Sequence, residues 1–269
     1  MQFNAGLQLT YEERTLSTHT PLSHVDITWA QTLTGNPYIG TTVTKLDPTQ
    51  TYTAWKQSTQ TLDQYGNLVS MQANNFGAGV VGSVARTYTN TYLGGTNYTS
   101  RYIFNRLLTS TVTDGTHTAT LVSNSYDQSS LTNITTACNL GRLCEHDNTN
   151  YPATFTYRGN VTSSTTPTTA TTNLYDLTGT VTSTTKNGVT STVTAANNYA
   201  VPGQIATNSL TSTMNWNSSL SMTSATGPNG DTGSINYDAN ARPSSSTSHM
   251  ERSPTTPITT RPLRRTGSR

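Results

Sequence analysis

Cys138 and Cys144, in the run ACNLGRLCEHD, are the residues best suited by type to covalent or metal chemistry, with His146 just beyond them. Two thiols this close can close a small disulfide loop or stay as reduced thiols. As a metal site, the C-x5-C-x-H run matches no standard zinc spacing, and no fourth ligand is evident. No metal or other cofactor is expected. His19, His24, His117 and His249 are scattered, and no G-x-S-x-G elbow, H-E-x-x-H pair or phosphate-binding loop occurs. Ser and Thr are so abundant that some hydroxyl must fall near a histidine by chance. Among the carboxylates, Asp176 and Asp238 recur at one place in a repeating pattern, where an Asp side chain hydrogen-bonds the backbone of a turn. No enzymatic role is expected for this chain.

The elements that carry these residues read as strands. Thr alone supplies 59 of the 269 residues, while Leu, Ile, Val and Phe together supply only 44. So low an aliphatic share accompanies disorder when net charge is high. Here the net charge is +2, and 14 Tyr and 3 Trp add apolar faces that the aliphatic count misses. Thr, Tyr and Val favour strands, because branched and aromatic side chains fit a pleated surface. The expectation is an all-β chain with a thin or shared core. No segment approaches the length of a membrane-spanning apolar helix, so no membrane insertion is expected. The N-terminal run has neither the basic start nor the apolar core of a signal peptide.

Three turns stand out. Asp114-Gly115 reads as a two-residue type I′ turn, which would set Val112 opposite His117, Leu108 opposite Leu121 and Leu107 opposite Val122. Asn187-Gly188 plays the same part, with Lys186 facing Val189 and Val193 facing Thr182. That second hairpin is nearly all Thr and Ser on both faces, so hydrophobicity pins its register weakly. A third turn falls at Pro228-Asn229-Gly230. The low-complexity run from 161 to 173 reads as strand and loop, broken at Pro167.

One form recurs: an aromatic or Asp, a short polar turn, then a Val/Leu-Thr/Ser strand. It appears as DQYGNLVS (63–70), YRGNVTSS from Tyr157, YDLTGTVTS from Tyr175 and YDANARPSS from Tyr237, with Tyr126-Asp127 a further pair. From Trp216 to Tyr237 the spacing is 21 residues, with Gly230 as a turn in the second half. The physical content is one hairpin per repeat, its aromatic packed on the neighbouring repeat. Tyr175, Asp176 and Gly179, and then Tyr237, Asp238 and Arg242, resemble the YD repeat of the RHS family, although Ala241 stands where Gly is usual. The resemblance is fair over 126–245 and weak over 1–60. It implies antiparallel hairpin repeats forming part of a spiralling β-sheet shell. Full-length relatives use such shells to enclose a toxin or display a surface module, and are secreted or lie at the cell surface. The partners implied are the remainder of a repeat array and a toxin cargo. The family's autoproteolytic motif is absent, since Asp47-Pro48 lacks the Gly and Leu that follow it.

This organises the chain as a β-rich region at 1–125, a repeat-like array at 126–248 and a basic tail at 249–269. Residues 1–249 carry ten basic and twelve acidic side chains, so the positive excess lies wholly in the tail. A basic arm could meet nucleic acid or a membrane surface. Read one base out of frame, however, the codons for HMERSPTTPITT permit a Gly and a Tyr-x-Tyr-x-Asp close about 20 residues after Tyr237. The tail is therefore expected to be disordered and frameshift-derived, with no nucleic-acid partner. Exposed Tyr and Trp beside Asn and Asp would also suit carbohydrate, so an adhesin or sugar-binding β-domain is the alternative. The N-x-S/T sequons at Asn97, Asn133, Asn160 and Asn217 match chance in so Thr-rich a chain.

Overall fold

The computed structural model describes residues 3–46, 54–132, 147, 149–197 and 200–248. Cys138, Cys144, His146, Asp47-Pro48 and the tail after Ser248 lie outside the described residues. The chain is all-β and divides into two compact units. The first comprises Met1–Tyr126 and Tyr157–Ala170; the second comprises Asp127–Thr156 and Thr171–Arg269.

In the first unit the strands are β1 (Thr10–Arg14), β2 (Pro21–Gln31), β3 (Pro37–Leu46), β4 (Ala54–Leu62) and β5 (Leu68–Ala78). They continue as β6 (Val81–Tyr92), β7 (Leu107–Thr113), β8 (Thr118–Tyr126) and β9 (Val161–Thr165), with a single helical turn α1 (Thr96–Thr99) before β7. Each strand pairs antiparallel with the next. The second unit repeats this meander with β10 (Ala170–Tyr175), β11 (Val181–Lys186), β12 (Val189–Ala196) and β13 (Val201–Thr207). It ends with β14 (Leu210–Trp216), β15 (Met222–Thr226), β16 (Thr232–Tyr237) and β17 (Pro243–Thr247), again pairing in sequence.

The threonines explain how strands form with few aliphatic residues. Their hydroxyls meet across neighbouring strands, as in Thr185–Thr190 (2.8 Å), Ser191–Thr207 (2.7 Å) and Thr226–Thr232 (2.9 Å). The cost is a thin core. Among the described residues only Val25, Tyr98, Tyr126 and Leu177 are buried apolar side chains.

Two of the three expected turns form as read. Asn187 and Gly188 both take positive φ, 48° and 84°, and Lys186 pairs with Val189. The register expected for Val193 is the one this ladder follows, with Ser183 opposite Thr192. Gly230 (φ 86°) closes a turn from Gly227 to Asp231. The 161–173 run forms strand, turn and strand, with the Thr166 amide bonded to the Thr169 carbonyl at 2.8 Å. The Asp114 hairpin departs from expectation. Its loop has four residues, Asp114–His117, so Val112 faces Ala119, and Ser110 faces Val122 after a bulge. Thr109 faces Ser123, so Leu107 does not meet Val122 across this hairpin. The reason is local: the Asp114 carboxylate accepts the amides of Thr116 (2.8 Å) and His117 (2.7 Å). That Asx-type cap favours the wider loop over a type I′ turn. Only Gly115 of the pair has positive φ.

Candidate functional site

The recurrent feature of both units is a strand-end residue followed by a five-residue turn. A turn with the same backbone bonds begins at Gly227, with no side chain to cap it; the others begin at Thr32, Asp63, Asp176, Asn217 and Asp238, and each leads into the next strand. In each of these five, the first amide bonds the fifth carbonyl at 2.9–3.0 Å, and the fourth amide returns to the first carbonyl at 2.9–3.1 Å. The fourth residue sits in the left-handed region, as Gly35, Gly66, Gly179, Leu220 and Ala241. Glycine does this without strain, whereas Leu220 and Ala241 do not.

The first side chain organises the loop. Asp63, Asp176, Asn217 and Asp238 each use one Oδ1 to accept the amides two and four places on, at 2.8–3.1 Å. Thr32 does half of this through Oγ1, accepting the Asn36 amide at 3.1 Å. Arg242 adds an ion pair to Asp238 Oδ2 at 2.7 Å. Its hydrogen bonds, joined by the Arg242 and Asn240 amides, hold the Asp238 carboxyl below the usual range. Asp176 differs by being buried, 1% exposed, and its Oδ2 makes no hydrogen bond among the described residues.

Before these five turns, and also at Tyr92 and Tyr126, which precede none of them, the strand carries a bulge and then, in most copies, an aromatic. The register shifts fall just before or at Trp29, Leu62, Tyr92, Tyr126, Tyr175, Trp216 and Tyr237. A bulge bends the strand and re-aims the side chain. The polar tip of the aromatic then reaches back to a carbonyl at the start of the preceding strand. Tyr92 Oη donates to Leu68 O at 3.0 Å, Tyr126 to Leu107 O at 2.6 Å and Tyr237 to Met222 O at 2.9 Å. Trp216 Nε1 donates to Pro202 O at 2.7 Å, and Trp29 Nε1 to Gln8 O at 2.8 Å. The aromatic thus ties the open end of its own hairpin. Burial pushes the Tyr92, Tyr126 and Tyr175 hydroxyls up, so these groups stay protonated donors.

An amide two residues earlier often shares the task. Asn90 Nδ2 donates to Leu68 O at 2.9 Å, Asn124 Nδ2 to Leu107 O at 2.8 Å, and Gln60 Nε2 to Ile39 O at 2.6 Å. Sequence reading missed these residues. Their signal is the Asn-x-Tyr spacing at 90–92, 124–126 and 173–175.

The structure places the expected repeat residues in different roles. Tyr126, Tyr175, Trp216 and Tyr237 end strands, and Asp176, Gly179, Asp238 and Arg242 build turns. Gly230 lies in the turn between β15 and β16, one strand away from the Asx turns. Asp127 follows Tyr126 with φ 54°. Tyr157 sits outside any strand, edge-on to Tyr98 at 5.5 Å with Arg101 over its ring at 5.6 Å.

A recess of about 250 Å³ in the first unit is lined in part by Asp63, Tyr65, Asn90, Tyr92 and Phe104. Tyr65 stacks on Phe104 at 4.0 Å. The polar lining is largely engaged: Asn90 and Tyr92 bond Leu68 O, and Asp63 bonds its own turn and the Asn67 side chain. Among the described residues no group of three or more His, Cys, Asp and Glu side chains could hold a metal, and no helix is long and apolar enough to cross a membrane.

No family model and no curated protein sequence matches the chain. Among solved structures, a crystal structure of TcdB2-TccC3 resembles it with a TM-score of 0.51 at 11% identity, over 88% of this chain and 16% of that one. A Photorhabdus luminescens Tc holotoxin pore with mutated TccC3 gives a TM-score of 0.40 at 13% identity, over 88% and 10%. The chain therefore spans a small part of the length of either, and its likeness to TcdB2-TccC3 is one of fold.

Proposed function

We infer that this chain is a non-catalytic structural segment of an RHS/YD-repeat protein, one stretch of a β-sheet shell that encloses a toxin or displays a surface module outside the cell. The observation that carries this reading is a unit seen whole at Trp216-Asn217 and Tyr237-Asp238, and in part elsewhere: a strand-end aromatic tied to a carbonyl at the open end of its hairpin, then an Asx-capped turn. In this unit the residues with chemical potential are spent on backbone. Asp63, Asp176, Asn217 and Asp238 cap amides, and the aromatics tie carbonyls. The few buried apolar side chains fit an array that completes its packing against further repeats or cargo. The fold likeness to TcdB2-TccC3 supports the all-β array.

The test is electron microscopy of the polypeptide encoded by the whole reading region, with a broad hydrolase screen on the same sample. A closed strand-walled shell without turnover is expected. An isolated β-domain that hydrolyses a substrate would overturn the reading. The half-exposed Tyr65–Phe104 stack beside Asp63 favours, as a second reading, a carbohydrate-binding β-domain. Saturable binding on a glycan array, abolished by Tyr65→Ala, would establish that one.

A further inference from the structure

Strand β1 is the least buried element of the first unit, with all five residues exposed. It is laddered to β2 over Thr10–Arg14, and one charged row crosses that ladder. Glu12 on β1 pairs with His24 on β2, His24 with Lys45 on β3, and Lys45 with Trp55 on β4. The side chains meet along this row. His24 Nδ1 lies 2.9 Å from Glu12 Oε1, and Nε2 lies 2.9 Å from Asp26 Oδ1. Lys45 Nζ holds Asp26 Oδ2 at 2.6 Å and sits 4.6 Å from the Trp55 ring. Arg14 holds Glu12 Oε2 from within β1.

This geometry requires a proton. Carboxylates only accept, so both ring nitrogens must donate, and only the imidazolium carries two N–H groups. A neutral ring turns a lone pair toward one carboxylate at 2.9 Å. Which contact fails follows from the neighbours. Asp26 keeps Lys45 across the β2–β3 ladder. Among the described residues Glu12 keeps only Arg14, a residue of its own strand. Deprotonation therefore removes the charged tie between β1 and β2, leaving there the bond from Ser23 Oγ to Glu13 Oε2 at 3.1 Å, and leaves the β2–β3 tie in place.

We propose that His24 is a proton-operated latch that holds strand β1 on the sheet. This does not depend on the repeat reading. The charged groups facing the ring are Glu12 and Arg14 from β1, Asp26 from β2 and Lys45 from β3. Hydrogen bonds donated to Asp26 and then to Glu12 raise the His24 pKa, against the pull of burial. A raised imidazole pKa gives stability that is complete below the unfolded value of about 6.5 and is lost as pH rises through the folded value. The acid limit comes from the carboxylates. The bonds from His24 and Arg14 lower Glu12; burial pushes Asp26 up, but the bonds from Lys45 and His24 outweigh it. The latch is therefore closed between the lowered carboxylate values and the raised imidazole value.

The test is hydrogen exchange of the whole chain across pH, corrected for intrinsic rates, with an NMR titration of the His24 ring. Protection of the β1 amides should fall, by up to about tenfold for each pH unit, as pH rises between the His24 value with β1 detached and the higher value with β1 docked. Protection in β5 and β6 should not follow it. Glu12→Gln, at an exposed position that cannot unfold the chain, should abolish the β1 dependence while His24 still titrates. His24→Gln should make β1 protection independent of pH. A His24 ring titrating at or below about 6.5, an unchanged β1 dependence in Glu12→Gln, or parallel loss in β5 and β6 would each overturn the latch.

Discussion

Strands β2 to β6 of the first unit run 9 to 12 residues, whereas β10 to β17 of the second run five to eight. Longer strands give the first unit room for a charged cross-strand row and for the buried Val25. The short strands of the second unit carry Thr or Ser at nearly half of their positions, and their hydroxyl pairs form equally well in several registers. Hydrophobic alternation cannot choose among them. The choice falls to the strand ends: the five-residue turns at Asp176, Asn217 and Asp238, and the ties from Trp216 and Tyr237. The difference teaches that the same end device serves both units but carries more of the specification where strands are short.

The sharpest way to break this comparison is to remove the aromatic itself. Tyr126 is 4% exposed, and Tyr126→Ala should cost about 3–5 kcal/mol in urea unfolding. Tyr126→Phe removes only the bond to Leu107 O, which Asn124 still partners, and should cost about 1 kcal/mol. Trp216 is half-buried, so Trp216→Ala should cost less than Tyr126→Ala in overall stability. It should nevertheless shift amide protection across β13 to β15. Equal costs with unchanged protection there would show that burial, not register, is the aromatic's contribution.

The next effect is at the turn. Asp176→Ala strands the Thr178 and Thr180 amides in a buried site and should cost about 1–3 kcal/mol. Asp176→Asn should recover most of that, because Asn217 caps an equivalent turn with its amide oxygen. It also removes a buried charge whose Oδ2 makes no hydrogen bond among the described residues. Failure of Asn to rescue would mean that Asp176 needs its charge, which the turn geometry does not predict.

How much of this was legible in the sequence varies with how local the cause is. Asn187-Gly188 was readable because both residues tolerate positive φ and nothing nearby competes. Asp114-Gly115 carries the same kind of turn signal, but the Asp carboxylate captured two downstream amides and widened the loop, shifting every pair behind it. The Asx role of Asp176 and Asp238 was visible from type and place; the homologous turns at Thr32 and Asn217 were hidden by different first residues. The Asn-x-Tyr tie needs two strands in register before its acceptor exists, so spacing alone could not reveal it. His24 looked like one scattered histidine, since Glu12 and Lys45 reach it only through the β1–β2–β3 ladder.

A smaller effect separates good copies of the turn from strained ones. Ala241 holds φ 58° where Gly179 holds 85°. An L-residue there costs about 1–2 kcal/mol, part of which glycine returns as unfolded-chain entropy. Ala241→Gly should therefore stabilise the chain by up to about 1 kcal/mol in thermal or urea unfolding. Gly179→Ala should destabilise by a similar amount. If both changes are neutral, the left-handed position is not what ranks these turns.

The smallest effect is electrostatic, and it runs opposite in the two units. Asp238 is lowered chiefly by the Arg242 side chain, and then by the Arg242 and Asn240 amides. A lowered carboxylate contributes stability above its unfolded value of about 3.9, which is lost as pH falls through the folded value. The Asp238 turn should loosen in acid, while the His24 latch weakens toward alkali. Arg242→Gln removes the ion pair and keeps the turn amide, so the acid loosening should begin at higher pH with only a small loss near neutrality, as for an exposed pair screened by solvent. Amide exchange of Asn240 and Arg242 between pH 2 and 6 in wild-type and variant reads this directly. An onset at the same pH in both would assign the lowered Asp238 value to the turn amides alone, which would make Asp238 equivalent to Asn217 and leave Arg242 without a role in the repeat.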